Sequence, residues 1–285
     1  MKMSVVVAIV DGGEALARCL AALRAQDLSG EIEVIVPDDA SGEGVAPHSL
    51  LALHERIDRR RAAGLAAAQG EIVALIEDRV IPRRDWARRL LEAHAAKPEA
   101  AVIGGAVEAP TGSLLERAVY YCDYGRYQPP FLAGPAAWLS DVNVSYKRAA
   151  LEATREFWRE RYHESTVHWK LREQGALLWE TPDALVDAAR GTNAPLTLGA
   201  LLRERVAFAR VFGWTRAREA SLARRLAWLA LTPALPFVLT ARRIAERAQR
   251  GSVFGAGFAS ALPAMLLLSC AWSLGEALAY ATRRA

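Results

Sequence analysis

The sequence predicts an α/β fold on a parallel, doubly wound sheet, and three observations carry that expectation. Continuous apolar runs rich in β-branched residues recur at residues 4–10, 31–36, 72–76 and 101–107, the pattern of strands covered on both faces. Helical spacing returns between the runs, which favours parallel strands joined by crossovers. Acidic residues follow three of the runs directly: Asp11, Asp38-Asp39 and Glu77-Asp78. Ligands of open α/β sheets sit beyond the carboxyl ends of the strands, so these acids meet at one rim.

Each element follows in order. Residues 14–25 place Leu16, Leu20 and Leu23 on one helical face after the first strand. Residues 62–69 read as a short Ala-rich helix closed by Gly70. Residues 85–96 form a helix with Trp86, Leu90 and Leu91 on one side, stopped at Pro98. Residues 110–135 are looser, with Tyr120, Tyr121, Tyr124 and Tyr127 in the middle. These rings line an acceptor groove or pack in a core. Residues 154–174 predict a helix holding Glu164 and Trp169. Residues 198–212 predict another, Arg-rich on one side.

The end of the chain has a different character. From Arg216 onward there are ten arginines and three acids, against 26 basic and 29 acidic residues before it. A basic, apolar tail on a slightly acidic body argues against a nucleic-acid binder and for a domain held at an anionic membrane. Residues 226–241 are uncharged but broken by Pro233 and Pro236. As a helix they reach only ~24 Å, short of a ~30 Å hydrocarbon core. Residues 251–275 are uncharged and long enough to span. Arginines before and between the two segments prefer the cytoplasmic side, so the first is expected to be interfacial or re-entrant and the second to cross; a two-helix hairpin is the alternative. Trp214 and Trp228 fit an interfacial belt. The apolar run at the N-terminus is too short for a signal peptide, and three scattered cysteines suggest neither a disulfide framework nor a zinc site. A cytoplasmic body on the inner membrane follows as the expectation.

Taken alone, carboxylates at strand tips fit a metal–nucleotide complex, a ribose, or simple turn chemistry. The order of the features is more specific. SVVVAIVDGGEALARCLAALRAQDLSGEIEVIVPDDASGEG, then RAAGLAAAQGEIVALIEDRVIP, then DWARRLLEAHAAKPEAAVIGGAVE resembles the family 2 glycosyltransferases of the GT-A fold, and the later NVSYKRAALEATREFWRERYHESTVHWKLREQGALLWETPDALV resembles their acceptor half. The resemblance covers roughly residues 4–187. It implies a Rossmann-like, mostly parallel sheet with flanking helices, followed here by membrane-associated helices. The expected division is a glycosyltransferase domain over 1–215, split into donor (1–108) and acceptor (109–215) halves, and an anchoring tail over 216–285.

The resemblance also implies roles. The second acid of Asp38-Asp39 contacts the donor's nucleobase or ribose, so Asp39 takes that part. The family's Arg-Asn-x-Gly corresponds to Arg61-Ala62-Ala63-Gly64, keeping Arg61. Its Asp-x-Asp, which holds a metal–diphosphate, corresponds to Glu77-Asp78-Arg79. Its first turn, usually Pro-x-Tyr-Asn, reads Ala8-Ile9-Val10-Asp11, which places Asp11 at the donor. Its catalytic aspartate corresponds to Glu164, the general base that would take a proton from the acceptor hydroxyl. His163 and His168, five apart, are expected at the surface or the acceptor site.

Arg79 stands where the family has a third acid, and an arginine has no lone pair for a metal. Three readings are open. Glu77 and Asp78 hold Mg2+ or Mn2+ without it; Arg79 supplies positive charge to the diphosphate; or Arg79 pairs with a nearby acid and the site is silent. The expected function is an inverting glycosyltransferase moving sugar from a nucleotide-sugar to a lipid-linked or glycan acceptor in cell-envelope synthesis. The rival is a silent relative acting as a nucleotide-sugar-binding scaffold at the membrane. A nicotinamide dehydrogenase is disfavoured, because Asp-Gly-Gly, not GxGxxG, follows the first strand.

Overall fold

Three consecutive valines cannot share one face of a strand, so a strand containing them needs cover on both sides. β1 (Met3–Ala8) has that cover, with all six residues buried. It lies between β2 (Ile32–Ile35) and β3 (Ile72–Glu77) and runs parallel to both. The computed structural model describes residues 3–28, 31–37, 50–189, 196–249 and 256–283. Asp38 and Asp39 lie outside the described residues.

The remaining elements are α1 (Gly13–Arg24), α2 (Leu50–Ala67), β4 (Val80–Pro82), α3 (Trp86–Ala96), β5 (Ala100–Glu108), α4 (Leu114–Asp123), β6 (Gly134–Pro135), β7 (Asn143–Lys147), α5 (Arg148–Ala153), α6 (Arg155–Trp158), α7 (Glu164–Glu173), β8 (Leu177–Ala188), α8 (Leu198–Ala217), α9 (Leu222–Leu231), α10 (Leu235–Gln249) and α11 (Ala256–Thr282). The chain divides into two units: the described residues of 1–46, 55–109 and 127–193, and those of 47–54, 110–126 and 194–285.

The first unit is a layered α/β structure. Its sheet has the order β2-β1-β3-β7-β5-β8-β4, with β6 on β8. The sheet is mixed among the described residues: β1 pairs β2 and β3, and β5 pairs β8, in parallel, whereas β7 and the short β4 and β6 pair antiparallel. The polar β7 sequence, NVSYK, inserts between β3 and β5. Asn143 makes that insertion stable. It is 1% exposed, donates to the carbonyls of Ala106 and Ala184, and accepts from Trp86 Nε1 at 2.8 Å. One amide thus ties β5, β7, β8 and α3, with each of its polar groups engaged.

Helix α2 is longer than the Ala-rich stretch suggested and begins at Leu50. Its contact with β1 depends on Gly64, where an added Cβ would lie 2.4 Å from Val6 Cγ1 and 2.8 Å from Pro37 Cγ. This close approach fixes the depth of Arg61, one turn earlier. The region 154–174 is not one helix but breaks between α6 and α7, so Glu164 opens a helix.

The second unit is helical. α4 starts with a capping box between Ser113 and Glu116. α8 and α11 approach closely at glycines: a Cβ on Gly275 would fall 2.3 Å from the Val206 carbonyl, and one on Gly213 2.9 Å from Ala279 Cβ. Buried Arg205 of α8 pairs through both terminal nitrogens with Asp123 of α4. Residues 222–249 run as α9, a 3-10 turn at Thr232–Ala234, and α10. Pro233 and Pro236 each sit in the first turn of a helical segment, where the missing N–H has no helical partner to lose. The apolar segment is therefore longer than the 16-residue stretch of the sequence reading. Two helices, Leu222–Gln249 and Gly257–Thr282, are long and apolar enough to cross a membrane. Only 17% and 39% of their most apolar windows are buried, which sets them apart from core helices. Leu222, Leu226, Leu231, Phe237, Val238, Leu267 and Leu274 are all exposed along them.

Candidate active site

The rim is built where β1 and β3 end in register, Ala8 opposite Glu77. Asp78 follows at once, and its backbone N–H donates to the Ala8 carbonyl at 3.1 Å. Its fully buried carboxylate turns back on the β1–α1 turn and accepts from the backbone N–H groups of Val10 at 3.0 Å, Asp11 at 3.1 Å and Gly12 at 2.6 Å. Burial raises its pKa, and these three amides offset part of the rise. Gly12 has φ 67°, in the left-handed region that lets three successive amides face one carboxylate. Arg79 points to the other side of the turn. Its Nε and Nη2 donate to Asp11 Oδ1 at 2.9 and 2.6 Å. Asp11 and Arg79 therefore form one salt bridge, both partly buried.

Glu77 belongs to a different group. Arg61 of α2 lies buried among three carboxylates: its Nη2 donates to Glu77 Oε1 and, at 2.6 Å, approaches Asp141 Oδ2, while Nη1 donates to Asp58 Oδ1 at 3.3 Å. Burial works against the guanidinium's charge, but Asp141, Glu77, Asp58 and Glu164 outweigh it and hold Arg61 firmly protonated. One cation cannot offset four acids. Burial pushes Asp58 up to about 8 despite Arg61. It pushes Glu77 up to about 7, with Arg61 opposing and Asp141 adding.

Glu164 is the fourth acid. It is the first residue of α7, half-buried, where the helix dipole favours negative charge. Ser165 Oγ donates to Glu164 Oε1 at 3.2 Å. Burial and then Asp141 push the Glu164 carboxyl up to about 7. Its neighbour His163 places Nδ1 3.3 Å from Asp58 Oδ2, so the start of α7 is tied to α2. On the inner side, Tyr146 of β7 meets Tyr162 Oη at 2.5 Å and His168 Nε2 at 2.8 Å. His168 is fully buried, and burial lowers it to about 3, so it is a neutral core group. This corrects the expectation that it sits at the surface or the acceptor site.

The structure thus sorts the expected site residues into two adjoining sets. Asp11, Asp78 and Arg79 form the turn, while Glu77, Arg61 and Glu164 form an acidic cluster with Asp58 and Asp141. The sequence reading missed these last two. Asp58 was legible as an acid three residues before Arg61, on one helical face. Asp141 had no local signal beyond preceding a polar strand. The aromatic cluster resolves as packing: Tyr120, Tyr121 and Tyr127 are all under 9% exposed.

The donor set does not fit a compact metal site at the described positions. Glu77 is bonded to Arg61, both Asp78 oxygens accept amides, and Arg79 brings a cation to the third position. Among the described residues no group of three His, Cys, Asp or Glu converges to hold an ion.

A mixed sheet with parallel strands β1–β3 on one side and a polar return strand beside them is the architecture of the GT-A fold. A sequence profile described as glycosyl transferase family 2 matches residues 4–154, and the chain belongs to that family. It is a glycosyltransferase. The structure is similar to the mannosyltransferase PcManGT from Pyrobaculum calidifontis, solved in complex with GDP-Man and Mn2+, with TM-score 0.57 and 18% identity over 99% of this chain and 87% of that one. It also aligns with S. aureus TarS at TM-score 0.48 and 14% identity, over 93% of this chain and 55% of that one. No curated protein matches the sequence significantly.

Proposed function

We propose that the protein transfers a sugar from a nucleotide-sugar donor, with inversion, to a membrane-associated acceptor, lipid-linked or glycan, in cell-envelope glycan synthesis. Glu164 is the general base. Its carboxyl at about 7 carries this reading, because a base poised near neutrality combines the ionised form with real affinity for the acceptor's proton. The proton passes from the acceptor hydroxyl to Glu164 as the oxygen attacks the anomeric carbon, and the nucleoside diphosphate leaves from the opposite face.

Asp39 contacts the donor's nucleobase or ribose. Asp78 acts on the donor indirectly, by holding the amides of the β1–α1 turn. Asp11 and Arg79 border that turn, and Arg79 meets the diphosphate charge on opening from Asp11. Arg61 sets the charge balance of the acidic cluster. The Mn2+ bound by the Pyrobaculum enzyme makes a divalent ion a candidate partner of the diphosphate here, held by the donor's own oxygens. The exposed apolar faces of α9–α11 and their arginines support attachment to the inner membrane, with the catalytic unit in the cytoplasm.

The test is transfer by purified protein and by Glu164→Gln. Transfer lost with donor binding kept supports the enzyme. Equal transfer by variant and parent overturns the role of Glu164; donor binding with no transfer by either favours a nucleotide-sugar-binding scaffold.

A further inference from the structure

The helical unit holds a cavity of about 140 Å³, far above the ~10–15 Å³ that one water needs. Its wall comes from the end of α4 and the turn after it, from α10 between Leu239 and Arg247, and from Phe258 near the start of α11. Four arginines line it, Arg126, Arg242, Arg243 and Arg247, against two acids. Both acids are engaged: Asp123 with Arg205, and Glu246 with Arg242 at 2.8 Å. Arg243 donates to the Cys122 carbonyl at 3.0 and 3.3 Å and to Ser269 Oγ at 3.1 Å. These partners fix the guanidinium but are neutral, so they leave its charge uncancelled. Arg247, one turn on, sits 5.2 Å from the Tyr121 ring centroid and 5.0 Å from that of Phe258. Ring faces hold a cation in place.

A recess lined by positioned guanidinium groups matches a phosphate, whose oxygens take their paired donors. The surroundings specify more. α10 is the end of the apolar run Leu222–Gln249, and Phe237 and Val238, 66% and 57% exposed, precede the first of its lining arginines by less than two turns. A cationic recess at the end of a greasy helix flank suits an amphiphile with its charge at one end.

We propose that this cavity binds the anionic phosphate headgroup of a membrane lipid, with the lipid chain along the exposed flank of α10. The proposal rests on the reading that the helical unit contacts a membrane, and it is independent of the sugar donor.

The experiment uses the full-length protein. Flotation with phosphatidylcholine vesicles tests membrane contact by itself. Dissociation constants are then measured in neutral maltoside micelles for phosphatidylglycerol, for a long-chain isoprenyl monophosphate and for inorganic phosphate. The double variant Arg243→Gln/Arg247→Gln is expected to bind the lipid phosphate about tenfold or more weakly. Arg224→Gln, an exposed arginine of the same unit outside the cavity, should bind as the parent does. Should the double variant fail to fold, Leu239→Trp fills the recess without changing its charge and should show the same loss. Preference for either lipid supports the proposal and names the source. An unchanged double variant, an equal loss in Arg224→Gln, or inorganic phosphate binding as tightly as lipid overturns it. No flotation with any vesicle overturns the membrane reading as well; flotation without phosphate preference overturns this proposal alone.

Discussion

Replacing Arg61 by methionine keeps much of the bulk and removes the cation that Glu77, Asp58 and Asp141 share. The carboxylate side chains are only 11%, 9% and 18% exposed, so water cannot take over the role. Removing one partner of a buried ion pair costs about 3–5 kcal/mol. The proton route gives a similar size: keeping an acid neutral at pH 8 against an unfolded pKa near 4 costs ~1.36 kcal/mol per unit, or about 5 kcal/mol. The sign with pH follows from the raised values, about 8 for Asp58 and about 7 for Glu77. A carboxyl whose folded pKa is raised contributes stability that is complete below its unfolded pKa near 4 and is lost as pH rises through 7–8. Without Arg61 those values climb further, so the gap between parent and variant widens from pH 5 to pH 8. Urea unfolding in micelles, followed by tryptophan fluorescence at both pH values, measures it. A loss under ~1 kcal/mol at pH 8, or the same loss at both pH values, refutes the shared-cation account.

Glu164→Gln should lower kcat by about 10²–10⁴ while donor affinity stays within about twofold, read by steady-state kinetics and calorimetry. In the parent, kcat/KM should fall below an apparent pKa near 7, a value belonging to the coupled cluster rather than to one residue; a flat profile from pH 5 to 8 contradicts it. Asp78→Asn should cost about 2–4 kcal/mol, because the amide turns donors toward the backbone N–H groups that the carboxylate accepts; thermal unfolding reads it. Gly275→Val should lower stability by about 1–3 kcal/mol through overpacking against the Val206 carbonyl, and a melting temperature equal to the parent's would contradict the close approach of α8 and α11.

The N-terminal strands were legible because their signals are strong and local. β1, β3 and β5 are unbroken apolar runs, and their ends fall within about two residues of expectation. β7 and β8 escaped notice for the opposite reason. NVSYK hides its apolar content behind Asn143 and Ser145, whose polar groups are satisfied only by distant partners. The early turns of α2 escaped because HERIDRRR has too much charge to show a face. At the site, the identity of the acids could be read but not their assignment. EDR gives no hint that Asp78 turns inward to an amide cluster while Glu77 and Arg79 take partners on two different elements. That division depends on the backbone path at Gly12, and on Gly64 bringing Arg61 within reach.

The Tyr146–Tyr162–His168 linkage and the His163–Asp58 contact hold the start of α7, and with it the base proposed at Glu164, like a tool clamped in a vice. A reactive group secured on both sides cannot swing to follow acceptors of different length. Discrimination among acceptors then falls to the segment 128–138, where Leu132 is 91% exposed, and changes there should alter what is glycosylated while leaving the proton-transfer step untouched.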